Sequence, residues 1–223
     1  MNECTNCGET YPGKLVKVTN DLKTCAVCKK PIKIELEEAF MSEVRWDSYF
    51  YNICEAVAQK SPCLSRKIGA VLVYDNLIVS TGYNGPPRGI PHCGHDRFMK
   101  DKALTNGIEN FLASSVKSTA AMVTTRFYSE CPRRVLGYES GEGMQWCHAQ
   151  HAEENAISNA AFLGVSIEGA TLYMNSVIPC QKCFGTLINV GIIEVVVKDT
   201  THYDKHSQFL IENSDIEIRE FNL

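Results

Sequence analysis

The sequence predicts an α/β fold built on a mixed five-stranded sheet, with a small cysteine-held module in front of it. Three observations carry that prediction. From position 150 onward, apolar strand-like runs alternate with helical ones, as in parallel strands joined by crossover helices. Before that, IGAVLVYDNLIVSTGYNG reads as two β-rich runs about the turn pair Asp75-Asn76, a hairpin that makes the sheet mixed. At the front, residues 1–36 carry two CxxC pairs, Cys4/Cys7 and Cys25/Cys28, with 17 residues between them.

The elements follow in order. Paired CxxC knuckles at this spacing are the Cys4 zinc-ribbon pattern, and the short runs LVKV and IKIEL lie between and after them. So short a segment has too little core to fold alone, so metal binding would supply its folding free energy. The ribbon is expected over 1–37 and the main domain over 40–223. The stretch FMSEVRWDSYFYNICEAVAQK places Val44, Tyr49, Phe50, Ile53 and Val57 at helical spacing, with Ser42 as the expected N-cap and an end near Ser61-Pro62. The hairpin comes next, then PPRGIPHCGH as loop. Residues at about 95–146 read as an insertion with one or two helices, closing on CPRRVLGYESGEGMQWC as a further loop. After it, HAEENAISNAAFLG is a helix with a glycine stop and GATLYMN a strand. CQKCFGTLINVG is a helix, IIEVVVK a strand, HSQFLIENS a short helix and DIEIREF the last strand.

Composition narrows the function. The chain has 223 residues, 44% hydrophobic and 22% charged, the balance of a soluble globular protein. A net charge of −4 supplies no overall basic field to draw it onto nucleic acid. The N-terminus MNECTNCGETYP has no apolar core of a secretion signal, and no apolar run nears the roughly 20 residues that span a bilayer, so a cytoplasmic protein without a membrane partner is expected. Eleven cysteines in such a chain point to metal ligands before disulfides.

The spacing that carries chemistry is HAE at 151–153 with PCQKC at 179–183. Each stretch opens a helix, and one strand separates them. Cys180 and Cys183 stand at i and i+3, so both sulfurs face one side. With the two helix starts side by side, His151, Cys180 and Cys183 converge as three ligands of a zinc whose fourth position stays open, the catalytic arrangement. Helix N-termini favour thiolates, which helps both cysteines ligate. Zinc lowers the pKa of bound water, and Glu153, in the same first turn as His151, is the expected proton shuttle. The order H-x-E…P-C-x-x-C is that of zinc nucleobase deaminases.

A more specific resemblance rests on longer stretches. SRKIGAVLV…IVSTGYNGPPRGIPHC at 65–93, HAEENAI…GATLYMNSVIPCQKC…GIIEVVV at 151–197 and RWDSYFYNICEAVAQKSPC at 45–63 resemble the deoxycytidylate (dCMP) deaminase family over roughly 40–220, apart from the insertion. The resemblance implies a three-layer α/β/α cytidine-deaminase-like sandwich. It implies hydrolysis of dCMP to dUMP and ammonia, which supplies dUMP for thymidylate synthesis, and a homo-oligomer, often a hexamer. Asn84 of TGYNG matches the family's substrate-contacting Asn, and Ala152 lies within the matching HAE motif. Arg66 and Lys67 are candidates for the 5′-phosphate, and Tyr203 matches a pocket Tyr. Phage members bind a second zinc at the matching loop. Here Cys93, Cys131 and Cys147 are its candidates, with His92, His95 or His148 as the fourth ligand and His92 taken first. Zinc is then expected at three places: catalytic, ribbon and insertion. The chain departs from the family where many members carry an Arg used in triphosphate control. It has Ala161-Phe162-Leu163-Gly164 there, and Phe162 offers nothing to a phosphate.

Three rival readings stay open at this level. One is the same chemistry on dCTP or a 5-substituted dCMP. Another is a nucleic-acid deaminase, which the acidic balance and the missing basic aromatic stripe argue against. The third is a scaffold with structural zinc, in which Glu153 would be idle.

Overall fold

The computed structural model describes residues 44–111, 125–139, 141–201 and 204–223 in full, and the backbone alone over 2–3, 10–11, 34–43 and 112–114. Cys4, Cys7, Cys25, Cys28 and Tyr203 lie outside the described residues, and so do most of the predicted ribbon's residues. The chain divides into two compact units, Met1–Trp46 and Asp47–Leu223. In the first, β1 (Asn2–Glu3) pairs antiparallel with β2 (Thr10–Tyr11).

The first long helix corrects two expectations. Helix α1 runs Ile34–Ala58, so it begins within IKIEL, and the expected boundary between 37 and 40 falls inside it. Ser42, the expected N-cap, stands in its interior. The physical reason is propensity summed over ELEEAFMSE. Glu, Leu, Ala and Met each favour helix, and one serine does not interrupt the run.

The hairpin forms as predicted. β3 (Gly69–Tyr74) pairs antiparallel with β4 (Leu77–Tyr83) through a turn in which Asp75 has φ 49° and Asn76 φ 60°. Both central residues are left-handed, the tight turn whose twist matches the flanking strands, and Asp and Asn tolerate it best among non-glycine residues. β3 also pairs antiparallel with β5 (Thr171–Val177). β5, β6 (Glu194–Asp199) and β7 (Glu217–Glu220) are mutually parallel, giving one five-stranded sheet in the order β4-β3-β5-β6-β7. Parallel neighbours need crossovers, and α6 (Gln181–Asn189) and α7 (Ser207–Glu212) supply them. Between the hairpin and β5 stand α2 (His95–Lys100), α3 (Lys102–Ser114), α4 (Pro132–Val135) and α5 (Ala152–Leu163).

The pleat sends alternate side chains of the central strands to opposite faces. Ala70, Leu72, Leu172, Met174, Val195 and Val197 are buried with Ala152, Ala156 and Ala160 of α5 and with Phe184 and Leu187 of α6. On the other face Tyr173 meets Phe50 of α1 at a ring separation of 4.6 Å and Phe221 at 5.8 Å. Helices therefore cover both faces, the predicted α/β/α sandwich. Two glycines set how closely the layers approach. A Cβ on Gly69 would fall 2.1 Å from the Cys54 carbonyl oxygen of α1, and one on Gly82 would fall 2.2 Å from the backbone of α5. Along that second contact Ser80 Oγ donates to Ala156 O at 2.7 Å, and Asn159 Nδ2 donates to Thr81 O at 2.8 Å.

An ion cluster ties the far edge of the sheet to α1. Asp47, 1% exposed, takes both arms of Arg219 at 2.6 and 3.1 Å, while Arg219 Nε donates to Glu194 at 2.7 Å. Nothing in the hydrophobic pattern announced it.

The insertion is better ordered than expected. Its described residues form α2, α3 and α4 and a 3-10 turn at Met144–Trp146, and they bury a core of their own from Leu104, Ile108, Phe127 and Val135. CPRRVLG, expected as loop, carries α4 because Pro132 occupies its first turn, where the missing N–H costs nothing.

Candidate metal centre and active-site cleft

Two helix starts build the centre. His151 is the N-cap of α5, with an extended backbone (φ −72°, ψ 161°), and its N–H donates to Glu154 Oε2 at 2.8 Å. Glu154 thereby closes the first turn from the outside and leaves Glu153 turned inward, 4% exposed. Cys180 is the N-cap of α6, just beyond the carboxyl end of β5, and Cys183 lies one turn on. Carboxyl ends of parallel strands are where open α/β sheets form their clefts.

The three donors converge as predicted. Cys180 Sγ stands 3.5 Å from Cys183 Sγ, and His151 Nδ1 stands 3.6 Å from Cys180 Sγ and 3.3 Å from Cys183 Sγ. A tetrahedral ion at zinc–sulfur and zinc–nitrogen bond lengths has ligand separations of about 3.4–3.8 Å, so the triangle has the size of a zinc face. Among the described residues, these three form the one group of His, Cys, Asp or Glu with all ligand atoms within 4.8 Å of one another. Glu153 stands beside the face, Oε1 at 3.7 Å from His151 Nδ1, and outside the ligand group.

The electrostatics suit a cation. Accepting a hydrogen bond from the Cys183 thiol, and further helped by His151, holds Cys180 down at about 3. Contact with Cys180, then with Glu153, pushes His151 up to about 10. Cys183 is raised because it is the donor to Cys180 and is buried. A divalent cation bound here would take His151 as the neutral imidazole and both cysteines as thiolates, so binding would release protons. Two thiols and one imidazole fit zinc in donor type, spacing and charge.

A cleft opens beside this face, lined by His151, Ala152 and Glu153 on one side. Asn84 lines it too, buried, with every group of its carboxamide engaged. Oδ1 accepts from Ile68 N at 2.9 Å and lies 2.7 Å from Ser61 Oγ, while Nδ2 donates to Arg66 O at 2.8 Å. Asn84 therefore shapes the 61–68 wall. The loop that follows β4 reaches the HAE segment through a two-way backbone pair, Gly85 N to Gln150 O at 3.1 Å and Gln150 N to Gly85 O at 2.8 Å. Arg66 lines the cleft, whereas its neighbour Lys67 is exposed and is not among the lining residues.

The insertion contributes what sequence reasoning missed. Arg133, Arg134 and Met144 line the cleft, along with Cys147. The sequence shows only an arginine pair inside an apparent loop, which by itself signals nothing.

Cys93, Cys131 and Cys147 sit near one another without forming a second compact face. Cys93 Sγ accepts from Arg97 Nη1 at 3.4 Å, and its thiol is raised by burial, with Cys131 and Cys147 close enough to add to the effect. His92 is exposed on another surface groove, and His95 is exposed against the Tyr128 ring. His148 differs from both. Its Nε2 lies 2.8 Å from Pro91 O, and its Nδ1 is buried with no hydrogen-bond partner.

Comparison with known proteins adds three findings. A model of the cytidine and deoxycytidylate deaminase zinc-binding region matches residues 44–199. Deoxycytidylate deaminase of Schizosaccharomyces pombe is 29% identical over 176 residues, 79% of this chain and 44% of that one, and that of Enterobacteria phage T2 is 35% identical over 179 residues, 75% of this chain and 87% of that one. The chain thus spans less than half the length of its yeast relative. The crystal structure of dCMP deaminase from cyanophage S-TIM5 in complex with dCMP and dUMP superposes with a TM-score of 0.50 at 19% identity, covering 85% of this chain and 98% of that one, which supports the fold.

Proposed function

The chain belongs to the cytidine and deoxycytidylate deaminase family, and on that premise we propose that it hydrolyses dCMP to dUMP and ammonia at His151, Cys180, Cys183 and Glu153. The observation that carries the reading is the three-donor face with a buried carboxylate 3.7 Å from one donor, that donor and the carboxylate both lining a cleft. Relatives named deoxycytidylate deaminase, of yeast and phage, support the choice of nucleotide.

His151, Cys180 and Cys183 would hold zinc, which when bound polarises a water and brings its pKa towards neutrality. The protein's own part is proton transfer and orientation. Glu153 accepts a proton from the water whose oxygen bonds to C4 of the pyrimidine. Its carboxyl then gives a proton to N3, and a second transfer through the same carboxylate protonates the amino nitrogen as the C4–N4 bond breaks. Ammonia leaves and the ring remains as uracil. Asn84 holds the wall against which base and sugar rest, and Ala152 leaves room beside Glu153. Arg66 faces the phosphate. The acid group of the cleft lies in its buried part, where an aminopyrimidine rather than a phosphate belongs.

The test is a substrate panel of deoxycytidine, dCMP, CMP, dCTP, 5-methyl-dCMP and a cytosine oligonucleotide, followed by loss of cytosine absorbance and release of ammonia. Turnover is expected to favour dCMP. Deamination of the oligonucleotide with dCMP untouched would overturn the reading.

The metal content extends further than the catalytic ion. Spacing supports a ribbon zinc on Cys4, Cys7, Cys25 and Cys28. A third zinc is proposed on Cys93, Cys131 and Cys147. His148 is its better fourth ligand than His92, because a buried ring nitrogen without a partner is supplied by the first and not by the second. Metal analysis of the purified protein is expected to give about three zinc per chain. Loss of about one equivalent in both Cys131→Ser and His148→Ala checks the third site, and a wild-type value near one removes both structural sites. A cytoplasmic homo-oligomer, of which a hexamer is the favoured form, completes the proposal.

A further inference from the structure

Two guanidiniums that the deamination reading does not use stand over the same cleft. Arg133 and Arg134 belong to α4, the four-residue helix of the insertion, and both line the cleft together with His151 and Glu153. Arg66 lines it from the segment before β3. Charge is therefore sorted with depth. Glu153 is 4% exposed, Arg133 is half-buried, and Arg66 and Arg134 reach solvent. A nucleotide presents the complementary order, an uncharged amino base at one end and a dianionic phosphate at the other.

The two arginines are held for such a task in different ways. Arg133 Nε donates to Glu142 O at 2.6 Å and Nη2 to Glu139 O at 3.0 Å, which fixes one edge of the guanidinium and does not engage Nη1. Arg134 Nη1 meets Glu139 Oε2 at 3.2 Å in a pair that is 44% and 82% exposed, a contact that water screens and a phosphate can replace. Their helix is anchored by packing. Val135, the last residue of α4, is buried in the insertion's core with Leu104, Ile108 and Phe127. Guanidiniums on a rigid mount present paired donors that match phosphate oxygens.

We propose that Arg133 and Arg134 bind the 5′-phosphate of the substrate with Arg66, so that the insertion is a working wall of the active site and selects phosphorylated nucleotides over nucleosides. The inference rests on the deamination reading above and adds two residues of the insertion to its phosphate recognition.

The experiment compares kcat/KM for dCMP with that for deoxycytidine in the full chain with its zinc. The ratio is expected to fall about tenfold in Arg134→Ala and about a hundredfold in the double variant Arg133→Ala/Arg134→Ala, mainly through KM. Arg133→Lys keeps the charge without the planar fork and is expected to fall between wild type and Arg133→Ala. Inorganic phosphate should compete with dCMP in wild type and several-fold more weakly in Arg134→Ala. That variant alters an exposed side chain and keeps the test sound if Arg133→Ala disturbs the 139–142 loop. An unchanged ratio overturns the proposal, and so does an equal loss on both substrates, which would mark the arginines as scaffolding. A wild-type chain that deaminates no nucleotide sinks the deaminase reading and this inference together. One that deaminates dCMP while the Arg134→Ala ratio stays put sinks this inference alone.

Discussion

Glu153→Gln is expected to lower kcat on the order of 10³–10⁴-fold while zinc stays bound. The amide has the size of the carboxylate, so the packing of a side chain 4% exposed is kept. The zinc face is made without this residue, from His151, Cys180 and Cys183. What disappears is the group that accepts a proton and returns it. A carboxamide has no lone pair basic enough for the first transfer and no acidic proton for the second. Because one residue carries both transfers in the proposed reaction, the loss belongs at the upper end for general acid–base catalysis. The check is kcat measured beside zinc content on the same preparation. More than a tenth of wild-type activity with full zinc would reject Glu153 as the proton carrier. Loss of zinc together with activity would reassign it to the ligand set.

Gly82→Ala is expected to be strongly damaging. The added Cβ would lie 2.2 Å from Ala152 O and from Ala156 N, and 2.8 Å from Ala156 Cα, all backbone of α5. No rotamer relieves a clash with backbone, so strand and helix must separate. They are also held by Ser80 Oγ on Ala156 O, Asn159 Nδ2 on Thr81 O and Asn155 Nδ2 on Tyr83 O, bonds that separation would stretch. The cost is about 3 kcal/mol or more, a fall in Tm of about 6–12 °C for a domain of this size. His151 sits at the start of α5, so the zinc face should loosen with it, and zinc retention against a chelator should weaken in parallel. Gly185→Ala is the control. Its Cβ would meet only Leu210 Cδ1 at 3.6 Å within α6, and alanine in a helix interior is expected to be neutral or to stabilise by about 0.5–1 kcal/mol. A Gly82→Ala protein that melts within 2 °C of wild type would refute the close approach.

Phe162, noted in the sequence where relatives often carry an arginine, has a different role in the fold. It lies in the last turn of α5, 73% exposed, with the Arg88 guanidinium 4.5 Å above its ring. Arg88 Nη2 also donates to Asn159 Oδ1 at 2.7 Å, so the loop that follows Asn84 is pinned to the helix that begins with His151. A cation–π contact at an exposed site contributes about 0.5–1 kcal/mol, enough to bias the loop without locking it.

By itself the sequence determined the elements whose cause is local. Asp75-Asn76 between two β-branched runs specified the hairpin, because those residues tolerate the left-handed turn. The period of the apolar residues specified the strands and helices after 150. The motif HAE…PCxxC specified the metal face, because residues at helix starts carry their direction with them: once α5 and α6 pack on one sheet, His151, Cys180 and Cys183 have few other places to point. What the tertiary structure alone decided joins residues that share no local signal. The true start of α1 depended on summed propensity rather than on a capping serine. The Asp47–Arg219–Glu194 cluster joins positions up to 172 apart, and the need for glycine at 82 exists only because α5 lies against it. Arg133 and Arg134 read as solvated charge in a loop until the insertion's own core turned them over the cleft. Charge carries no periodicity, and a long-range contact leaves no mark on either of the segments it joins, so these features became visible only when the chain was folded.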